Sequence, residues 1–333
     1  MIPLTPISRN FVLSDFTFNA GEYLPELKIH CTTLGQPEQD TTGDTRNAVL
    51  ILHGTGGTGS AFLRPQFADI LFGSGQLLDA TRYFIILPDG IGHGQSSKPS
   101  DGLRASFPRY GYHDMITAHY RLLTEHLGVN HLRLVMGTSM GGMQTWLWGE
   151  TYPDFMDALL PLASLPTQIS GRNRMIRRMI IDSIQNDPAW QNGNYEVQPP
   201  GLRSAVYALL FMVSSPWQWQ QQAPTLRQAD TLFDTLVEDY LAKQDANDML
   251  YHFRASEDYD PAPYLEKIKA PLIAINSADD QVNPPELGIM EREIDRVSDG
   301  KYILLPISDQ TRGHGTHSLP ELWQEHLAAL LAR

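Results

Sequence analysis

Short apolar runs recur along this chain, three of them ending at Gly54, Pro88-Asp89-Gly90 and Gly137, and the last of these, Leu132–Met136, leads directly into Gly137-Thr138-Ser139-Met140-Gly141-Gly142. The others are Asn47–His53, Tyr83–Leu87, Met156–Leu162, Pro271–Ile275 and Tyr302–Leu305. Runs of this length without polar alternation are apolar on both faces, which a buried parallel sheet requires. Helical patterns over His113–Leu127, Met140–Trp148 and Leu319–Leu331 fall between or after them, so the chain reads as an α/β fold with right-handed crossovers. Two strand-like runs in residues 10–34, Phe11–Phe18 and Leu24–Thr33, read as an antiparallel pair. From 166 to 265 the alternation stops. This stretch holds the helix-like segments Arg172–Gln185, Leu202–Val213 and Ala229–Lys243, with no convincing strand, and alternation resumes at Ala270. The expectation is a discontinuous core, 1–165 and 266–333, carrying a helical lid over 166–265.

The segment after Leu132–Met136 fits G-x-S-x-G. A serine on a sharp strand-to-helix turn needs small neighbours, so that the chain can reverse and leave Oγ exposed at the helix N-terminus. The pentapeptide alone is a weak signal; the preceding apolar strand and following helix give it its context. His53-Gly54-Thr55-Gly56-Gly57 follows an earlier strand. In that position it supplies a second donor to an oxyanion hole, the first being the N–H of the residue after the nucleophile. The expected donors are the backbone N–H groups of Met140 and Thr55. Gly54-Thr55-Gly56-Gly57-Thr58-Gly59 also matches G-x-G-x-x-G, but it stands alone as a dinucleotide signal, and the loop lacks the Gly-Lys-Ser/Thr of a phosphate loop.

A serine nucleophile needs a base. Gly313-His314 lies after the run Tyr302–Leu305 and before the last helix, where a loop at a strand's carboxyl end can reach Ser139. His317, three residues on, is the rival. His53 precedes a Gly-rich turn and reads as structural, and His93 belongs to a turn expected to pack near the site. The remaining histidines read as ordinary strand, helix or loop residues, and no pair has convincing metal-ligand spacing. The acid that orients the histidine is expected in Ser277-Ala278-Asp279-Asp280, after the run Pro271–Ile275. One of the two aspartates holds the imidazole tautomer and the other satisfies loop N–H groups.

Composition removes other classes. The chain of 333 residues has 25 Lys and Arg against 38 Asp and Glu, a net charge of −13. Nucleic-acid binding therefore has little electrostatic support, and anionic substrates are weakly disfavoured. Only Arg172, Arg174, Arg177 and Arg178 stand out as a basic group. The single cysteine, Cys31, excludes disulfide frameworks and cysteine-based zinc sites. Met1–Asn10 shows no basic stretch followed by an apolar one, so no signal peptide and a cytoplasmic location are expected. No apolar run reaches the roughly 18–20 residues that span a bilayer.

The elbow Gly137-Thr138-Ser139-Met140-Gly141-Gly142-Met143-Gln144, followed by Tyr152-Pro153, resembles the homoserine O-acetyltransferase branch of the α/β-hydrolases. Tyr112-His113-Asp114-Met115, Asn186-Asp187-Pro188-Ala189-Trp190 and Gly201-Leu202 extend the resemblance over nearly the whole chain. It implies an α/β-hydrolase fold, a mostly parallel sheet flanked by helices, with a Ser139–His314–Asp280 triad. Asp280 is selected because the family's acid lies in Asp-x-x-x-Pro-Pro. It also implies a homodimer through the lid.

Two departures bear on substrate. The family's acceptor arginine lies in Gly-Leu-x-x-Ala-Arg, where this chain has Val206. Its Gly-His-Asp is here Gly313-His314-Gly315, without the acid that faces the acceptor's amine. A buried charge left unpaired costs several kcal/mol, so homoserine is expected to bind poorly. The esterase members of the branch fit better. The expected activity is hydrolysis of small carboxylic esters through an acyl-enzyme, without cofactor or metal. Tyr207, Phe211 and Trp217, with Met212 and Trp219, are candidates for an apolar substrate pocket. The alternatives are acyl transfer from acetyl-CoA to a different acceptor, and a non-catalytic binding protein on the same scaffold.

Overall fold

In the computed structural model, which describes residues 5–333, the apolar runs become neighbours in one sheet. The strands are β1 (Ile7–Thr17), β2 (Tyr23–Leu34), β3 (Ala48–Leu52), β4 (Phe84–Pro88), β5 (Leu134–Thr138), β6 (Leu159–Leu162), β7 (Leu272–Ser277) and β8 (Gly300–Leu305). Their order across the sheet is β1-β2-β4-β3-β5-β6-β7-β8. β1 pairs antiparallel with β2, and β2 antiparallel with β4; every other pairing is parallel. Every residue of β3, β4, β5, β6 and β7 is buried. This is why those segments read as unbroken apolar runs rather than alternating ones.

The helices are α1 (Pro65–Leu71), α2 (Tyr112–Arg121), α3 (Met140–Thr151), α4 (Gly171–Gln185), α5 (Gly201–Val213), α6 (Pro216–Gln222), α7 (Leu226–Leu241), α8 (Ala246–Arg254), α9 (Ile289–Glu293) and α10 (Gln324–Leu331). One face of the sheet packs on α2 and α3 through Met115, Ile116, Trp146 and Leu147. The other packs on α1 and α10 through Phe67, Leu71, Leu327 and Leu330. α4 to α8 all fall between β6 and β7 in the chain. They share an apolar core of their own that includes Ile180, Ile184, Leu202, Met249 and Phe253.

Local differences from the sequence reading have local causes. The segment expected as one helix over Leu319–Leu331 is broken: Pro320 opens a single 3-10 turn, and α10 starts only at Gln324. α2 ends at Arg121 and gives way to one π turn, Leu122–His126. Two helices in the 166–265 stretch were not expected, α6 and α8. Each begins at a side-chain cap, Ser215 accepting from the Gln218 N–H and Asp245 from the Asn247 and Asp248 N–H groups. Among the described residues no helix is long and apolar enough to cross a membrane.

Candidate active site

The strand order reverses between β3 and β5, and in open α/β sheets such a switch point leaves a crevice at the strands' carboxyl ends. Ser139 sits there, between β5 and α3. Its backbone has φ 56 and ψ −111, a left-handed conformation that a side-chain-bearing residue adopts only under constraint. The constraint is the close approach of α3 to the sheet. A Cβ on Gly137 would run into the backbone of Gly141, and one on Gly141 into the Leu52 carbonyl of β3. The flanking glycines are therefore required by contact with backbone, which nothing can move aside cheaply.

His314 Nε2 lies 2.8 Å from Ser139 Oγ and accepts its hydroxyl when Nδ1 carries the ring proton. Nδ1 donates to Asp280 Oδ2 at 2.9 Å. The Asp280 carboxylate is fully buried and also accepts from the Val282 N–H at 2.7 Å and the Asn283 side-chain amide at 3.0 Å. Burial pushes its carboxyl up, but His314 and these donors outweigh burial and hold it below the ordinary carboxylate value. It is the ionised partner an imidazolium needs.

Asp279 takes no part in this line. It accepts from the Ser277 hydroxyl at 2.5 Å and from the Gly313 N–H at 2.8 Å, fixing the backbone that carries His314. Ser215, the residue that caps α6, also reaches it at 3.4 Å. His317 stands with its ring centre 5.5 Å from that of His314 and reaches neither Ser139 nor Asp280 by hydrogen bond. Burial and the neighbouring His314 push it down to about 3, so it is neutral.

The glycine-rich loop after β3 abuts the elbow: a Cβ on Gly54 would lie 3.5 Å from Ser139 Cβ. Thr55 borders the same cavity as Ser139, and Met140 opens α3 beside it. His53 fixes this loop, its Nδ1 bonding the Gly54 carbonyl at 2.8 Å and its Nε2 accepting from the Gly90 N–H at 3.0 Å. His93 stacks on His252 of α8 at 3.8 Å between ring centres. Burial keeps both neutral, His252 down to about 4. His252 borders the cavity, a placement that reading it as an ordinary helix residue missed.

Two cavities meet at Ser139 and His314. The first, of about 500 Å³, is bounded by Thr55, Phe62, Leu209, Met212, Tyr240 and Phe253. The second, of about 560 Å³, is bounded by Met143, Leu165, Ile169, Val282, Pro284 and Leu287.

Three residues expected to line a substrate pocket border neither cavity: Tyr207, Phe211 and Trp217 are 36%, 62% and 46% exposed. The phase of α5 is the reason. Leu209, Met212 and Val213 share the helix face turned to the cavity, and Tyr207 and Phe211, four residues apart, share another. Tyr207 packs against Phe233 and Phe211 against Trp219 instead. Val206 lies seven residues before Val213, on the same side of α5, but is covered by Leu210 and Val237 and does not border the cavity. Arg203 pairs with Glu238 on the exterior and supplies no shifted clamp.

A serine–imidazole–carboxylate succession on a strand–turn–helix elbow, at the switch point of such a sheet, is the arrangement of a hydrolase fold. Residues 47–293 match the family described as alpha/beta hydrolase fold, and the chain belongs to it. Within it the chain falls in the homoserine O-acetyltransferase-like branch, which has esterase-type structural neighbours. It is 30% identical to the homoserine O-acetyltransferase of Geobacter sulfurreducens, over 82% of each chain. It is 29% identical to a probable acyltransferase of Methanothermobacter thermautotrophicus, over 83% of this chain and 84% of that one. The crystal structure of an acetylester hydrolase from Corynebacterium glutamicum superposes with a TM-score of 0.85 at 21% identity, covering 98% of this chain and 96% of that one. At that identity the likeness is one of fold.

Proposed function

We propose that this chain is a serine hydrolase of small carboxylic esters, working through an acyl-enzyme on Ser139. The observation that carries the reading is the unbroken hydrogen-bonded line from Ser139 Oγ through His314 to Asp280, at 2.8 and 2.9 Å. His314 Nε2 takes the hydroxyl proton as Oγ attacks the ester carbonyl. The carbonyl oxygen, now an anion, is received by the N–H groups of Met140 and Thr55. Collapse of the adduct breaks the bond to the alcohol oxygen, which takes the proton from His314 and leaves. A water then gives its proton to His314 and attacks the acyl carbonyl, releasing the acid and restoring Ser139. Asp280 stays ionised throughout and stabilises the imidazolium. The helices between β6 and β7 act as the lid of this site.

A second reading is favoured by the names of the relatives: the acyl group passes to an acceptor alcohol rather than to water. The chemistry up to the acyl-enzyme is the same. Against homoserine as acceptor stand Gly315, where the family carries an acid, and Val206, where it carries an arginine.

The test is hydrolysis of p-nitrophenyl acetate by the protein and by Ser139→Ala, with and without acetyl-CoA and homoserine. The expected result is hydrolysis that falls on the order of 10⁴–10⁶-fold in Ser139→Ala and is not accelerated by the acceptor. Undiminished hydrolysis in Ser139→Ala overturns the assignment. Strong acceleration of acyl turnover by homoserine moves it to the second reading.

A further inference from the structure

Arg177, on α4, is 2% exposed and borders both cavities that meet at Ser139. Its neighbours on the exterior of the same helix are conventionally paired, Arg174 with Glu257 and Arg178 with Asp182. Arg177 has no such partner: its Nε donates to Asn173 Oδ1 at 2.9 Å and its Nη1 to Ser256 Oγ at 3.1 Å, both neutral oxygens. The guanidinium lies over the Phe253 ring, 5.4 Å from its centre, with the Tyr112 hydroxyl nearby. A guanidinium offers five N–H donors in one plane, and those two bonds use only part of the fork.

A buried cation without a countercharge is costly, and among the described residues no carboxylate pairs with this one. Burial depresses its basicity, opposed only by Tyr112. The first cavity is bordered by no carboxylate among the described residues, although the chain as a whole is acidic, and Arg64 borders it as well. The net charge that disfavours anions at long range is thus reversed in sign along the first cavity, and in the second Glu286 stands against Arg172 and Arg292.

We propose that Arg177 is a specificity-determining residue that receives a carboxylate of the substrate, so that the preferred esters are monoanions carrying a free carboxylate near the scissile carbonyl. The planar fork suits a carboxylate held through two parallel bonds. The site offers no carboxylate partner for an amine at Gly315, so the class is an ester of a simple carboxylic or hydroxy acid rather than of an amino acid. The inference rests on the serine-hydrolase reading of Ser139 and adds the substrate's charge to it.

The experiment compares matched pairs of esters on the same enzyme sample. One pair places the carboxylate on the acyl side, 4-nitrophenyl hemiglutarate against 4-nitrophenyl valerate. The other places it on the alcohol side, the acetate ester of 3-hydroxybutyrate against sec-butyl acetate. The readout is the ratio of kcat/KM within each pair, for the wild-type protein, Arg177→Met and Arg177→Lys. The expected result is a wild-type ratio favouring the anion in at least one pair. That ratio drops on the order of 10²-fold in Arg177→Met, the scale of a lost charge-assisted hydrogen-bonded contact, and partly recovers in Arg177→Lys. The pair that responds tells which side carries the carboxylate.

A ratio unchanged in Arg177→Met overturns the inference, whether or not overall activity falls with it. Should Arg177→Met fail to fold, glutarate inhibition of valerate ester hydrolysis by the wild-type protein decides: competitive inhibition that weakens with added salt supports the inference, and none overturns it. Loss of all hydrolysis in Ser139→Ala with an indifferent Arg177 leaves the hydrolase reading standing and removes only this one.

Discussion

Asp279 and Asp280 are adjacent in the chain, yet their carboxylates serve different partners: Asp280 Oδ2 accepts a hydrogen bond from His314 Nδ1–H at 2.9 Å, while Asp279 Oδ2 accepts one from the backbone N–H of Gly313 at 2.8 Å. One holds the imidazole and the other holds the loop that carries it. Substituting the two therefore separates chemistry from support. Asp280→Asn is expected to lower kcat on the order of 10⁴-fold with KM little changed, because the wrong tautomer faces Ser139. Asp279→Ala is expected to lower kcat by roughly ten-fold and to lower thermal stability, since three donors lose their acceptor. Steady-state kinetics and melting curves on both variants check this; equal losses of kcat would contradict the division of roles.

The elbow leaves no room beside the sheet. Gly141→Ala places a methyl group against the Leu52 carbonyl of β3. The variant is expected to lose about 1–3 kcal/mol of stability, as over-packed sites do, with activity lost through displacement of Ser139. Urea unfolding read by tryptophan fluorescence measures it, and wild-type stability in this variant would show that α3 can shift.

Glu150, on α3 and 7% exposed, is pushed by burial from its ordinary 4.5 up to about 8, against the pull of Lys267. The sign follows from proton linkage. The folded state holds this proton more tightly than the unfolded one, so the stability it contributes is complete below 4.5 and is lost as pH rises toward 8. Glu150→Gln, which cannot ionise, is expected to gain melting temperature relative to the wild type as pH rises across that window, and to gain nothing further above it. Calorimetry at closely spaced pH values from 4 to 9 checks the slope. Parallel curves for the two proteins would show that Glu150 titrates normally.

Phe211 and Trp217 lie outside both cavities, so Phe211→Ser and Trp217→Ser are expected to leave kcat/KM for short esters within about two-fold of wild type, the range of surface substitutions. The family resemblance expects this same apolar face to join two chains. On that expectation the double variant elutes later in size-exclusion chromatography than the wild type. A raised KM in either variant would return these rings to the substrate site.

How far the sequence could be read depended on whether a feature is set by chain direction or by helix phase. Leu132–Met136 running into Gly137-Thr138-Ser139 announces a buried strand, a turn and a helix in that order, because each residue type is demanded locally. The runs before His53 and Asp279 behave alike, so the fold class and the placing of Ser139, His314 and an aspartate at strand ends were legible, whereas the choice of Asp280 over Asp279 came only from the family resemblance. Tyr207 and Phe211 were not. Their orientation is fixed by how α5 packs against α7, which no local pattern states. α6 and α8 escaped for a related reason: both are short and start from ordinary Ser and Asp caps within a polar stretch. Arg177 was visible only as one of four arginines in a basic run. What sets it apart is burial without a counter-ion, a property of the fold rather than of the residue.

Ser139 and His314 are 175 residues apart, and all the helices from α4 to α8 lie between them. Contacts of such separation carry a high loop-closure cost and form late. The hydroxyl–imidazole pair therefore closes among the last contacts of folding, after β5 and β8 have both found their places in the sheet.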